Sequence, residues 1–214
     1  MAMVPRVFSG VAGTMMILLA LIFGDVLCKE VYSSNRSTFP GRRVGGGTRG
    51  ECNARILVHL VPENSVFAPG ATGILGLVQG PTANPVSLEL SFLPEGVGSA
   101  TTRTLRAASA NLTLISGAAI AVPTIWESTF NCETGNGVDS VQDPLAFTQP
   151  AFPPVLSLLL PDVEPVDHPV QKALTSLRAK CGGNVPATQT LAQFGLGDLV
   201  TEEWPEQLPV RCPF

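Results

Sequence analysis

Between residues 86 and 92, Val86, Leu88, Leu90 and Phe92 alternate with Ser87, Glu89 and Ser91. Successive side chains of an extended chain point to opposite faces, so this stretch predicts a strand with one dry and one wet face. Residues 124–132 repeat the pattern, with Trp126, Phe130 and Cys132 on one side and Glu127, Thr129 and Asn131 on the other. Residues 52–60 alternate as well: Cys52, Ala54, Ile56, Val58 and Leu60 form the apolar side, and Pro62 with Asn64-Ser65 ends the run. His59 has the opposite parity and is expected as an ordinary surface histidine. Weaker strand signals lie at 73–78, 101–105 and 111–115. A proline-bounded apolar run at 155–160 predicts a last strand against a sheet edge.

Beyond residue 165 the period changes. Asp167 and Pro169 make a helix start, and Val170, Ala173, Leu174, Leu177 and Cys181 follow at helical spacing until Gly182-Gly183. A second short helix is expected from Pro186 to Gly195, with Leu191 and Phe194 turned inward. Upstream, prolines at 144, 150, 153, 154, 161 and 165 exclude a continuous helix. The predicted fold is therefore mainly β: an immunoglobulin-like antiparallel β-sandwich over residues 51–161 with a small helical appendage over 162–214. Residues 29–50 are polar and glycine-rich and read as a flexible lead-in.

Composition supports short strands and many turns, because 21 glycines and 19 prolines stand against only 14% charged residues. The net charge of -4 offers no broad attraction to nucleic acid or anionic lipid, and the cluster Arg42, Arg43 and Arg49 is too small to reverse that. Near the N-terminus, Arg6 precedes an apolar run at 11–23, shorter than the roughly 20 residues of a bilayer span. That pattern predicts an exported chain with a signal peptide over residues 1–28 and no stable membrane span after cleavage. Cleavage points are offered after Gly24 and Cys28; an uncleaved anchor and a lipid-modified Cys28 are the alternatives.

Removing Cys28 leaves Cys52, Cys132, Cys181 and Cys212, an even set that reads as two disulfides with three possible connectivities. Parity places Cys52 and Cys132 on the apolar faces of an early and a late strand, so a Cys52–Cys132 bridge is expected. That leaves Cys181 to tether Cys212.

Catalytic motifs are sparse. Gly45-Gly46-Gly47-Thr48-Arg49-Gly50 matches the dinucleotide fingerprint, yet that loop needs a strand before it and a helix after it. Neither is predicted here, so no cofactor is expected. The two histidines, His59 and His168, are far apart, and His168 reads as a helix-entry residue, so no metal site is expected. No G-x-S-x-G elbow occurs, and the acidic pairs Glu202-Glu203 and Asp162 with Glu164 read as solvated surface. Trp126 and Trp204 are expected as a core residue and a tail anchor, and Asn35 and Asn111 begin N-x-S/T sequons.

Three segments resemble a secreted domain-of-unknown-function family found mainly in cyanobacteria. They are Gly45-Gly-Gly-Thr-Arg-Gly50-Glu-Cys52 leading into Ile56-Leu-Val-His-Leu-Val-Pro-Glu63, then Trp126 to Cys132, and then Gln171 to Arg178 with Gly195-Leu196 and Cys212. The chain departs from that family in lacking its aromatic second strand, where it has Gly76-Leu-Val-Gln-Gly-Pro-Thr82, and in adding Cys181. The resemblance implies a β-rich secreted module with a helical tail and no established activity. The expected role is a non-catalytic binding or assembly module of the cell envelope, with another envelope or secreted protein as partner. The alternatives are a secreted hydrolase using a carboxylate pair and a membrane-anchored subunit of a larger complex.

Overall fold

A computed structural model describes residues 36–46, 56–131 and 154–213. The chain divides into two units, Met1–Thr38 and Phe39–Phe214. Of the first, residues 36–38 are described, in helical conformation. The described residues of the second form two sheets and two α-helices.

The six-stranded sheet has the order β1 (Val44–Gly46), β2 (Ile56–His59), β4 (Ile74–Gln79), β7 (Asn111–Ser116), β11 (Gln207–Arg211) and β10 (Asn184–Pro186). The five-stranded sheet has the order β3 (Val66–Phe67), β9 (Val155–Leu159), β8 (Thr124–Phe130), β5 (Leu88–Pro94) and β6 (Thr101–Leu105). The chain is thus mainly β, as its alternation predicts. The sheets are mixed, not antiparallel: β11 runs parallel to β7, and β3 runs parallel to β9. A parallel neighbour requires a long crossover. Between β7 and β11 that crossover includes α1 (His168–Arg178) and α2 (Ala187–Ala192).

The C-terminal segment is therefore not an appendage. Its strands β10 and β11 complete the six-stranded sheet, and α1 packs over β4 and β7. Helical spacing does identify the buried face of α1, since Val170, Ala173, Leu174 and Leu177 are all sequestered. Close approach is possible because β4 has Gly76 beneath the helix, where a Cβ would stand 2.6 Å from the Leu174 Cδ2 methyl. Asp167, buried before α1, ties the helix entry to the loop after β3. The Ala68 N–H donates to Asp167 Oδ1 (3.1 Å), the Glu164 N–H donates to Oδ2 (2.9 Å), and the Gln171 side chain donates to the Ala68 carbonyl (2.7 Å).

The lead-in is ordered at least in part. β1 pairs with β2, and the Arg42 backbone bridges to Leu156. Arg43 donates to the carbonyls of Val61 (3.2 Å), Phe194 (2.8 Å) and Gly195 (3.5 Å). Desolvation at this half-buried position lowers the guanidinium pKa, against the opposing influence of Glu63 and Asp198. Arg43 thus holds the entry strand to the end of α2.

The run at 155–160 forms β9, which lies between β8 and β3, inside the sheet and not at its edge. Cys181 and Cys212 are joined with Cα atoms 5.7 Å apart, as expected, although Cys181 is exposed beyond the end of α1. The expected Cys52–Cys132 bridge lies outside the described residues, as do residues 1–35. No described helix is long and apolar enough to cross a membrane.

Candidate functional site

Two sheet faces meet over one hydrophobic core, and polar residues are sealed between them. Along the six-stranded sheet, His59, Leu77 and Thr113 are successive cross-strand partners, as are Leu57, Gln79 and Asn111. Cross-strand partners share a face, and this one looks toward the five-stranded sheet. The expectation of a surface His59 is thus overturned, for its side chain is fully buried. Its ring stacks on Trp126, with centroids 3.4 Å apart and planes 8° apart. Nδ1 lies 2.8 Å from Ser157 Oγ and Nε2 lies 2.7 Å from Ser128 Oγ. A neutral imidazole donates through one nitrogen and accepts through the other, and a hydroxyl can serve either one. Burial drives the His59 pKa well below its ordinary value of 6.5.

This histidine resembles catalytic chemistry in composition only. A histidine between two serines is the material of nucleophilic catalysis, but Ser128, Ser157 and His59 are each 1% exposed or less. A substrate cannot approach a pair sealed between packed sheets, so the arrangement acts as a polar rivet that sets the two sheets in register. Nearby, Asn111 donates to Thr113 Oγ1 (3.0 Å) from a side chain only 1% exposed. Its sequon is closed to glycosylation in the folded protein; Asn35 lies outside the described residues.

Access from solvent exists at one end of the sheet pair. There the start of β4 (Leu75), the end of β7 (Ile115), β5 (Phe92, Pro94) and the start of β8 (Thr124) enclose a cavity of about 320 Å³. Its size is near the lower limit of ordinary ligand pockets. Gly73 sets the rim: its φ is +57°, and a Cβ would stand 2.6 Å from the Gly117 carbonyl oxygen. Thr101 and Arg103 of β6 form a polar border. Arg103 is the one charged group among the described lining residues.

The loop 117–122, Gly-Ala-Ala-Ile-Ala-Val, supplies the remaining wall. It is an unbroken apolar run, and every residue in it except the half-buried Ile120 is exposed. Val97 is 49% exposed and Val122 is 42% exposed; Leu93 and Val163 are also uncovered. Of these, Val122 lines the pocket, whereas Leu93 has the opposite parity to the pocket residue Phe92 and lies on the other face of β5.

The other residues singled out from sequence do not converge. Glu202, Glu203 and Asp162 are exposed, Glu164 is half-buried, and His168 is exposed at the first turn of α1. Trp204 is buried against the helix side of the six-stranded sheet near Gly80. Gly45 and Gly46 lie in β1, not in a loop before a helix; Gly47 to Gly50 are outside the described residues. Among the described residues no three His, Cys, Asp or Glu groups could hold a metal. Comparison of the chain with protein-family models, curated proteins and solved structures found no match.

Proposed function

We propose that the protein is an exported, non-catalytic binding module of the cell envelope, with the open apolar pocket as its ligand site. The observation that carries this reading is the pocket itself: an apolar hollow between two sheets, walled on one side by the apolar loop 117–122 and lined by no described carboxylate. A carboxylate-pair hydrolase needs two acids facing a substrate, and the acidic pairs Glu202-Glu203 and Asp162 with Glu164 lie outside the lining. The two sheets facing across one core support an immunoglobulin-like sandwich, modified by a parallel strand in each sheet. Export is supported by the signal-like N-terminal pattern, the Cys181–Cys212 bond and the resemblance to a secreted family. The partner at the envelope would be another exported protein. Mass spectrometry of the isolated protein should find a new N-terminus; an intact Met1 contradicts cleavage.

The ligand reading is tested with Nile red, an uncharged apolar dye, titrated into the native protein. Saturable enhancement at one site per chain is expected. It should be lost in Ala119→Trp, which adds bulk to an exposed wall residue without touching the core. Absence of a saturable signal, or equal binding by the variant, would overturn the reading.

A further inference from the structure

Among the described residues one sheet has six strands and the other five, and the difference leaves an edge uncovered. We propose that this edge accepts an extended segment of another exported protein, added as a strand beside β6 and carrying carboxylates at alternate positions. The inference rests on the binding-module reading, names the kind of partner, and does not depend on the pocket.

Cross-strand rows show where the edge falls. In the six-stranded sheet His59, Leu77, Thr113 and Arg211 are successive partners. In the five-stranded sheet the row is Ser157, Trp126, Phe92 and Thr101. His59 stacks on Trp126, which sets β2 over β8. Counting outward from that contact, β4 falls over β5, β7 over β6, and β11 over the strand position beyond β6. Exposure agrees. On the face of β11 and β10 turned toward that position, Asn184, Gln207 and Arg211 are exposed, whereas Val185, Leu208 and Val210 on the opposite face are buried.

β6 has the backbone groups to hold a strand over this ledge. At the start of β5 the Asn131 N–H donates to the Ser87 carbonyl (2.9 Å). Bonding alternates along antiparallel strands, so Leu88, Leu90 and Phe92 turn their backbone groups to β6 and bond Leu105, Arg103 and Thr101. The N–H and C=O groups of Thr102 and Thr104 therefore point away from β5, and both residues are exposed. No described strand pairs with them there. β6 also carries no proline and no bulge, two devices that block strand addition.

Charge selects the occupant. A residue opposite Thr104 shares its outer face, where Glu89 stands across the strand pair and disfavours a second carboxylate. The alternate residues turn to the ledge, about 10 Å below at ordinary sheet spacing. There Arg211 is the one charged side chain on the described face of β10 and β11, so an acid meets attraction and a lysine meets repulsion. A second copy of the chain is the poorer occupant, because its own β6, Thr-Thr-Arg-Thr-Leu, brings no acid.

The probe is a blocked octapeptide of alternating Thr and Glu, compared with its Thr-Lys counterpart, and the readout is amide hydrogen exchange of the isotopically labelled protein. Exchange at Thr102 and Thr104 should be fast in the free protein and slowed by saturating Thr-Glu peptide. That peptide should bind about fivefold more tightly than Thr-Lys, the scale of one exposed ion pair, and Arg211→Glu should reverse the order. N-methylation of the peptide's threonines, which bond β6, should abolish binding, whereas N-methylation of its glutamates should leave it in place. Thr104→Pro, which removes an outward N–H and no sheet bond, should abolish binding from the protein side.

Unchanged exchange at Thr102 and Thr104 in millimolar peptide would overturn the proposal, as would equal binding of the two methylated peptides. Slowed exchange with equal affinity for Thr-Glu and Thr-Lys would overturn the acidic class alone. Protection that grows with protein concentration and needs no peptide would overturn the exported partner in favour of a second copy. Nile red binding is read in the same samples, and its failure removes the pocket reading while leaving this surface in place.

Discussion

Replacing Trp126 by alanine should lower the unfolding free energy by about 3–5 kcal/mol, the range for truncating a large buried aromatic side chain. Trp126 is fully buried. It stacks on His59 of the opposite sheet and lies near-parallel to Phe92 of its own, so truncation removes the contact that joins the layers as well as volume. The indole also carries a cost, because its Nε1–H has no acceptor among the described residues. Leaving such a group unpaired costs about 1–3 kcal/mol, so Trp126→Phe, which deletes the N–H and keeps a ring, should be much milder than alanine. Urea unfolding of the two variants measures this. An alanine variant within about 1 kcal/mol of the native protein would show that the sheets do not depend on the stack.

Acidification below about pH 6.5 should weaken the protein through His59. Because burial lowers the folded pKa, the native state resists a proton that the unfolded chain accepts near pH 6.5. Above that pH both states are neutral and the full stability is present. Below it the unfolded chain binds the proton alone, and stability falls by up to about 1.4 kcal/mol per pH unit until the folded pKa is reached. The two serines can accept from an imidazolium, so the penalty comes from placing charge between apolar sheets, not from a lost hydrogen bond. Burial is the sole cause of the shift, with no neighbouring acid offsetting it. Unfolding midpoints between pH 5 and 7.5 should slope steeply for the native protein and much less for His59→Gln. Equal slopes for the native protein and His59→Gln would sink the account.

His59 also shows how far the alternation in this chain can be trusted. The stretch from 56 to 61 reads Ile-Leu-Val-His-Leu-Val, an apolar run with a single polar interruption. Counting from Cys52 selects the even positions as buried and leaves Leu57 and His59 for solvent. In the fold Leu57, Val58 and His59 are all buried, because their six-stranded sheet is covered by α1 over β4 and β7 on one side and by a second sheet on the other. The continuity of the run was the available signal, since strands covered on both faces lose their alternation. β4 shows the same signature, with all six residues buried, Gln79 included. By contrast β5, with Leu88 and Leu90 buried and Glu89 half-exposed, follows its alternation, because no described layer covers its far side there. The pocket could not be located from sequence, since it is built from the ends of strands that are remote along the chain. The apolar loop 117–122 was its one visible trace.

The sequence by itself determined the local states. Period two placed most strands, period 3.6 placed α1 with its buried face, and glycine and proline set where elements stop, because these depend on side-chain direction and backbone freedom within a few residues. Tertiary structure alone decided the layering. It inserted β11 parallel to β7, turned the C-terminal segment from an appendage into part of the sheet, and buried His59 between two serines. It also left one end of the sheet pair open around Phe92, Ile115 and Arg103. Those outcomes depend on which faces meet across long stretches of chain, and a local pattern records that a face is apolar but not what will cover it.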